Sequence, residues 1–205
     1  MSAARRSSGA SRQRLAGKAA FLAGATSGIG AATARIFASE GASVAVAGRR
    51  IAEGEAVAAA IVDAGGEAIF VKTDVTDPAS VEQAIKAATD KFRRLDVLFN
   101  NAGGSTPQDG RVTEAPIEEF WRAIRLDLFG TWNCCRFGIP ELVRAGGGSV
   151  INMASNVALM GVAGRDCYTA AKGGVAAITR SMAVEFAPLA DFRGQIEIGA
   201  KEGAA

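Results

Sequence analysis

The chain has 205 residues, with 23 basic and 21 acidic side chains, three cysteines and no histidine. That length suits one domain with one sizeable core, and no run approaches the roughly 20 apolar residues of a membrane span. The net charge of +2 comes from Arg5, Arg6, Arg12 and Arg14 in an acid-free segment; the rest carries 19 basic against 21 acidic residues, which excludes a nucleic-acid surface.

Residues 1–14, rich in Ser and Arg, predict a disordered basic tail that is either solvated or a weak targeting or contact segment. The tail has no apolar core of the kind a secretory signal needs. Residues 15–205 are expected to form a single domain. Cys134, Cys135 and Cys167 are odd in number and lack ligand-like spacing, which argues against a disulfide framework or a metal site and for a reduced, cytoplasmic setting.

Short apolar runs alternate with helical patterns. The first run is Ala19 to Ala23, followed by the glycine-rich Gly24 to Gly30 and a helix with Ile29, Ile36 and Phe37 on one face. A second run, Ser43 to Ala47, ends at Gly48-Arg49-Arg50, and a helix from about Ala52 to Asp63 stops at Gly65-Gly66. The third strand is Ala68 to Lys72. Asp77 and Pro78 open a helix whose buried stripe is Val81, Ile85, Ala88 and Phe92. Val97 to Phe99 is a short buried strand, Ile117 to Arg144 is mostly helical, and Val150 to Met153 is the fifth strand. The last helix has Val175, Ile178, Met182 and Phe186 on its core face, with Pro188 just beyond. This alternation predicts an α/β fold: a three-layer, doubly wound parallel sheet with its ligand site at the carboxyl ends of the strands.

The chemistry-bearing residues fall at those ends. Gly24 permits a sharp turn, while Gly28 and Gly30 allow close backbone approach at a helix N-terminus that suits a pyrophosphate. Tyr168, the only tyrosine, precedes Lys172 by one helical turn, which sets an ammonium beside a phenol. A neighbouring positive charge lowers a phenol's pKa from about 10. Without histidine in the chain, Tyr168 is the leading candidate for proton transfer.

The glycine spacing is G-x-x-x-G-x-G. With Asn100-Asn101-Ala102-Gly103 after the fourth strand, Ser155 after the fifth, and Tyr168-x-x-x-Lys172 thirteen residues beyond Ser155, the chain resembles the short-chain dehydrogenase/reductase family of the classical type over roughly Leu15 to Pro188. The resemblance implies a Rossmann-like fold and an NAD(P)-dependent oxidoreductase that moves hydride between a nicotinamide and a ketone or secondary alcohol. Tyr168 would be the general acid or base, Lys172 would lower its pKa and bond the nicotinamide ribose, and Ser155 would hold the substrate oxygen. The cofactor would lie along Gly24, Thr26, Ser27, Gly28, Ile29 and Gly30, with Asp74 and Val75 at the adenine and Asn101, Ala102 and Gly103 along the channel. Gly48-Arg49-Arg50 replaces the acidic residue that would bond an adenosine 2′-hydroxyl. A guanidinium such as that of Arg49 suits a 2′-phosphate, so NADP(H) is favoured over NAD(H).

Two departures from the family stand out. Leu126-Asp127-Leu128 occupies the place of an Asn-Leu pattern. Asp127 would either keep the asparagine's role through its backbone carbonyl, or hold the lysine's charge with its carboxylate and weaken the effect on Tyr168. Asp127→Asn is then expected to raise turnover by no more than about tenfold. Beyond Pro188 the sequence offers a stub of a sixth strand at Gln195 to Ile198, but no Pro-Gly, substrate loop or last strand, which predicts an incomplete, unroofed end of the domain. Asn156, Leu159, Met160 and Val162 remain as pocket candidates for a partly apolar ligand. The expected partners are a small carbonyl or alcohol substrate and further copies of the chain in a homodimer or homotetramer, with no nucleic acid and no membrane. The alternative reading is a catalytically weak or inactive, truncated dinucleotide-binding protein of the same family type, or a truncated partner that assembles through its long fourth and fifth helices.

Overall fold

The computed structural model describes residues 13–187 and 193–197. In chain order the elements are β1 (Ala19–Ala23), α1 (Gly28–Ser39), β2 (Ser43–Gly48), α2 (Ile51–Asp63), β3 (Glu67–Lys72), α3 (Pro78–Phe92), β4 (Val97–Asn100) and α4 (Ile117–Ala123). A π-helical segment (Ile124–Phe129) leads into α5 (Gly130–Arg144), then β5 (Ser149–Met153), a 3-10 turn (Asn156–Ala158), α6 (Asp166–Phe186) and β6 (Arg193–Glu197). The predicted sixth strand therefore forms slightly earlier than expected, and Ile198 lies outside the described residues. So do residues 1–12, Pro188 and residues 198–205. Arg14, assigned to the tail from sequence, bonds Glu40 at 2.8 Å.

The six strands order as β3-β2-β1-β4-β5-β6, all parallel. The direction of winding reverses between β1 and β4, which opens a crevice at their carboxyl ends. Central strands covered on both faces need apolar residues at every position, and β1, Ala-Ala-Phe-Leu-Ala, is buried throughout. Alternate residues serve opposite layers. Phe21 packs with Val81, Ile85, Leu98 and Leu142 beneath α3 and α5, while Leu22 packs with Val44, Val46, Val57 and Ile61 beneath α1 and α2. The predicted stripe of α3 holds: Val81, Ile85 and Ala88 are buried, with Phe92 packed at the margin. Asp77 caps that helix by accepting from the Ala79 amide at 3.0 Å.

The face of α1 follows the expectation in part: Ile29 and Phe37 pack against the core, Ile36 does not. Gly30, Ala31, Ala34 and Ala38 are the residues it buries, and Ile36 is 55% exposed. A helix lying close on a sheet needs small side chains at the tightest contact, so the alanines are buried deepest and the larger Ile29 and Phe37 pack at the margin.

Two buried polar arrangements were not foreseen. At the amino end of the sheet, Asp96 is 3% exposed. It accepts from Arg94 through two bonds of 2.6 Å, from Lys18 at 3.0 Å and from the Ala19 amide at 3.0 Å. Burial raises its pKa, but the Arg94 guanidinium, the Ala19 amide and Lys18 outweigh that and hold it below the usual carboxylate range. The stabilisation is therefore present above about pH 4 and lost as pH falls through the lowered value. Asp96→Ala leaves the Ala19 amide without its acceptor and should cost about 2–3 kcal/mol, read as a lower urea midpoint at unchanged slope.

The second arrangement runs through the core. The Asn100 side chain donates to Asn152 Oδ1 at 2.8 Å, and the Asn152 amide donates to Thr179 Oγ1 at 2.9 Å. Thr179 in turn donates to the Val175 carbonyl at 2.7 Å.

Candidate active site

The cofactor half of the site is built from the ends of β1, β2, β3 and β4. Gly24 has φ +75°, and a Cβ there would lie 2.6 Å from the Ala102 backbone, so only glycine lets the turn after β1 pass the turn after β4. Asn101 ties the two turns by donating to the Gly24 carbonyl at 3.0 Å. The amides of the first turn of α1 have no side-chain cap, so that helix end faces the crevice with free donors. The crevice has a volume of about 300 Å³. Every residue expected to bind the cofactor between the first strand and Gly103 lines it, except Gly30, which sits one step inside the helix against Gly24 and Asn101.

The two arginines after β2 do different things. Arg50 folds back over the glycine turn and donates to Thr26 Oγ1 at 2.9 Å and to Ser27 Oγ. Both arginines line the crevice, and Arg49 is the one whose charge acts on Asp74. Asp74 lies opposite; burial works against its charge, yet hydrogen bonds from Thr76 and the field of Arg49 hold its pKa below the ordinary range. Val75 is buried and accepts, through its carbonyl, from Asn133 at 3.1 Å.

The crevice ends at Gly103 and Leu126, and the catalytic candidates begin there. The next residues, Gly104 and Asp127, are joined: the Gly104 amide donates to Asp127 Oδ1 at 2.9 Å. Arg122 donates to the Gly104 carbonyl at 3.0 Å and is itself held by Glu119. At Gly103 a side chain would fall on the Asp127 carboxylate. Asp127 is fully buried in the π segment, with Oδ1 3.3 Å from the Lys172 ammonium and Oδ2 without a hydrogen-bond partner. Its backbone carbonyl accepts from Thr131 Oγ1 at 2.8 Å. The carboxylate thus makes the contact with Lys172 that the second of the two roles requires. Burial pushes the Asp127 carboxyl up against the pull of Lys172, the Gly104 amide and Arg122.

Lys172, 2% exposed, also donates to the Met153 carbonyl at 2.8 Å and stands 5.5 Å from the centre of the Tyr168 ring. Ser155, at the end of β5, is buried and donates to Asn156 Oδ1 at 3.1 Å. The sequence expectation was a phenol brought down towards neutrality. In the protein alone the balance runs the other way: burial first, then the Asp127 charge, push Tyr168 up to about 12, and Ser155 only partly offsets them. The Asp127 carboxylate opposes the field that Lys172 would otherwise apply to the ring.

Of the pocket candidates, Leu159 and Met160 are exposed, at 65% and 58%. Sequence reasoning missed Arg122 and Asp109. Asp109 accepts from the Cys167 and Tyr168 amides, and it is separated from them by too many residues for any local pattern to mark it.

Residues 18–190 match the family described as short chain dehydrogenase. The chain belongs to the short-chain dehydrogenase/reductase family, a family of oxidoreductases that use nicotinamide cofactors. It is 41% identical over 176 residues to cis-4-hydroxycyclohexanecarboxylate dehydrogenase of Sinomonas cyclohexanicum, covering 85% of this chain and 70% of that one. It is 39% identical over 173 residues to the 2,5-dichloro-2,5-cyclohexadiene-1,4-diol dehydrogenase LinX of Sphingobium indicum, covering 84% and 68%. It is 34% identical over 173 residues to the 3-oxoacyl-[acyl-carrier-protein] reductase FabG of Chlamydia pneumoniae, covering 84% and 69%. Among the described residues no helix is long and apolar enough to cross a membrane.

Proposed function

We propose that this chain interconverts a ketone and a secondary alcohol, with Tyr168 as the proton donor in reduction and the proton acceptor in oxidation. The observation that carries the reading is the packing of Ser155, Tyr168 and the buried Lys172 where the glycine-walled crevice ends. A nicotinamide cofactor bound there supplies or accepts the hydride. The chain's own residues do the rest. Ser155 orients the substrate oxygen and stabilises charge developing on it, Tyr168 exchanges its proton with that oxygen, and Lys172 is fixed by Asp127 and the Met153 carbonyl beside the ring. Two of the relatives are named for cyclohexane-derived alcohols, and the exposed Leu159 and Met160 offer apolar surface near the site. Both favour a six-membered cyclic secondary alcohol or ketone as substrate. The free cysteines Cys134, Cys135 and Cys167 support cytoplasmic residence. Exposed Trp121 and Trp132, at 60% and 41%, support a homodimer or homotetramer built on α4 and α5.

The test is fluorescence titration with NADPH and NADH, set beside reduction of a panel of cyclohexanones and open-chain ketones. Binding and turnover of the ring ketones bears the proposal out. Binding without turnover across the panel would instead favour the dinucleotide-binding alternative. The preference for NADP(H) rests on Arg49, free of the glycine turn that occupies Arg50. Arg49→Ala should weaken NADPH at least about tenfold while changing NADH little. Equal effects on both cofactors would remove the basis for that preference.

A further inference from the structure

Helix α6 begins without a cap of its own. Arg165 stands at its N-cap with φ −137° and ψ 32° and offers no side-chain hydrogen bond to the first turn. The amides that a capping side chain ordinarily satisfies are the second and third of the helix, here those of Cys167 and Tyr168. Both are taken by Asp109, which lies in the loop after β4. Asp109 Oδ1 accepts from the Cys167 amide at 3.0 Å and Oδ2 from the Tyr168 amide at 3.2 Å. A carboxylate at this end also meets the positive end of the helix dipole.

The loop holds Asp109 in place and grips the helix from its other side. Ser105 Oγ donates to Asp109 Oδ2 at 3.2 Å, and the Gly110 amide to Oδ1 at 2.9 Å. The Asp166 amide donates to the Gly110 carbonyl at 3.1 Å, and the Val112 amide returns a bond to Asp166 Oδ2 at 2.8 Å. Arg165 donates to Ser105 Oγ at 2.8 Å. At its other end the loop starts from Gly103, in the wall of the crevice. Tyr168 sits in a first helical turn, where helices open most readily, so its place depends on whatever closes that turn.

We propose that Asp109 is a positioning residue for Tyr168: it caps the helix that carries the phenol and fixes that phenol relative to the cofactor crevice. The inference rests on Tyr168 being the proton-transfer group of the reaction.

The test compares Asp109→Ala and Asp109→Asn in the full chain. Amide exchange at Cys167 and Tyr168 should quicken at least about tenfold in Asp109→Ala, with the central strands unchanged. Carbonyl-reduction kcat should fall by about 10–100-fold while the Kd for NADPH stays within about twofold. Asp109→Asn, which keeps one acceptor oxygen, should lie between wild type and Asp109→Ala on both measures. Unchanged exchange at the two amides overturns the cap. Faster exchange with unchanged kcat, or a kcat loss matched by loss of NADPH affinity, overturns the positioning role. Wild-type protein without turnover would count against the oxidoreductase reading alone. In that event the reactivity of the chain's only tyrosine towards tetranitromethane decides: it rises in Asp109→Ala if Asp109 positions the ring, and is unchanged if it does not.

Discussion

Tyr168→Phe should lower carbonyl-reduction turnover by at least about a thousandfold while leaving NADPH affinity within about twofold, because it deletes the proton that the substrate oxygen must receive and little else. The ring remains to pack, and the cofactor crevice is lined by other residues. With no histidine in the chain, no second group of ordinary neutral pKa is at hand to replace the phenol. Single-turnover measurement with pre-bound NADPH isolates the step. Turnover within tenfold of wild type would remove Tyr168 from the reaction.

The second large effect concerns pH. A phenol pushed up to about 12 is protonated throughout the neutral range. Reduction, which needs the neutral form as donor, should be nearly flat from about pH 6 to 9; oxidation, which needs the phenolate as acceptor, should climb close to tenfold per pH unit over that range. Asp127 is the removable part of that elevation. Its charge disfavours a second negative charge on the ring and opposes Lys172. Asp127→Asn should therefore lower the apparent pKa of the oxidation profile by about one unit, for up to about tenfold faster oxidation near pH 8, and leave reduction little altered. Because Tyr168 is the only tyrosine, its ionisation can also be followed directly by near-ultraviolet absorbance. An unmoved titration in Asp127→Asn would show that the carboxylate does not govern the phenol.

Much of the site could be read from order and spacing alone. The glycine turn, Asn101, Ser155 and the Tyr168–Lys172 pair each lie at the end of a recognisable strand or on one helical face, and the sheet gathers strand ends on one side. What could not be read was set by contacts across the chain. Asp109 and Arg122 acquire their roles only when the loop after β4 meets α6 and the π segment. The π segment itself breaks the 3.6-residue period on which a helical reading depends, so Asp127 could be singled out without its orientation being known. At α1 the sequence pointed to Ile29, Ile36 and Phe37; Ile29 and Phe37 pack on the core, but the deepest contacts are made by its alanines and Ile36 is exposed. The sequence allowed that the Asp127 carboxylate would hold the charge of Lys172; its complete burial and its 3.3 Å approach to the ammonium are what the folded chain adds.

The buried Asn100–Asn152–Thr179 chain bears on assembly more than on catalysis. β2 alternates valine and alanine, and in such a strand a slip of two positions keeps every side chain on its own face and sacrifices little hydrophobic contact. The asparagine pair removes that freedom for β4 and β5. Asn100 stands directly across from Asn152 in the parallel ladder, and a shifted pairing would break the bond between their side chains at a cost of about 1–3 kcal/mol. The link from Asn152 to Thr179 extends the constraint to α6. These three polar residues act as a key for strand alignment, and they fix how far along β5 Ser155 emerges relative to the helix that carries Tyr168.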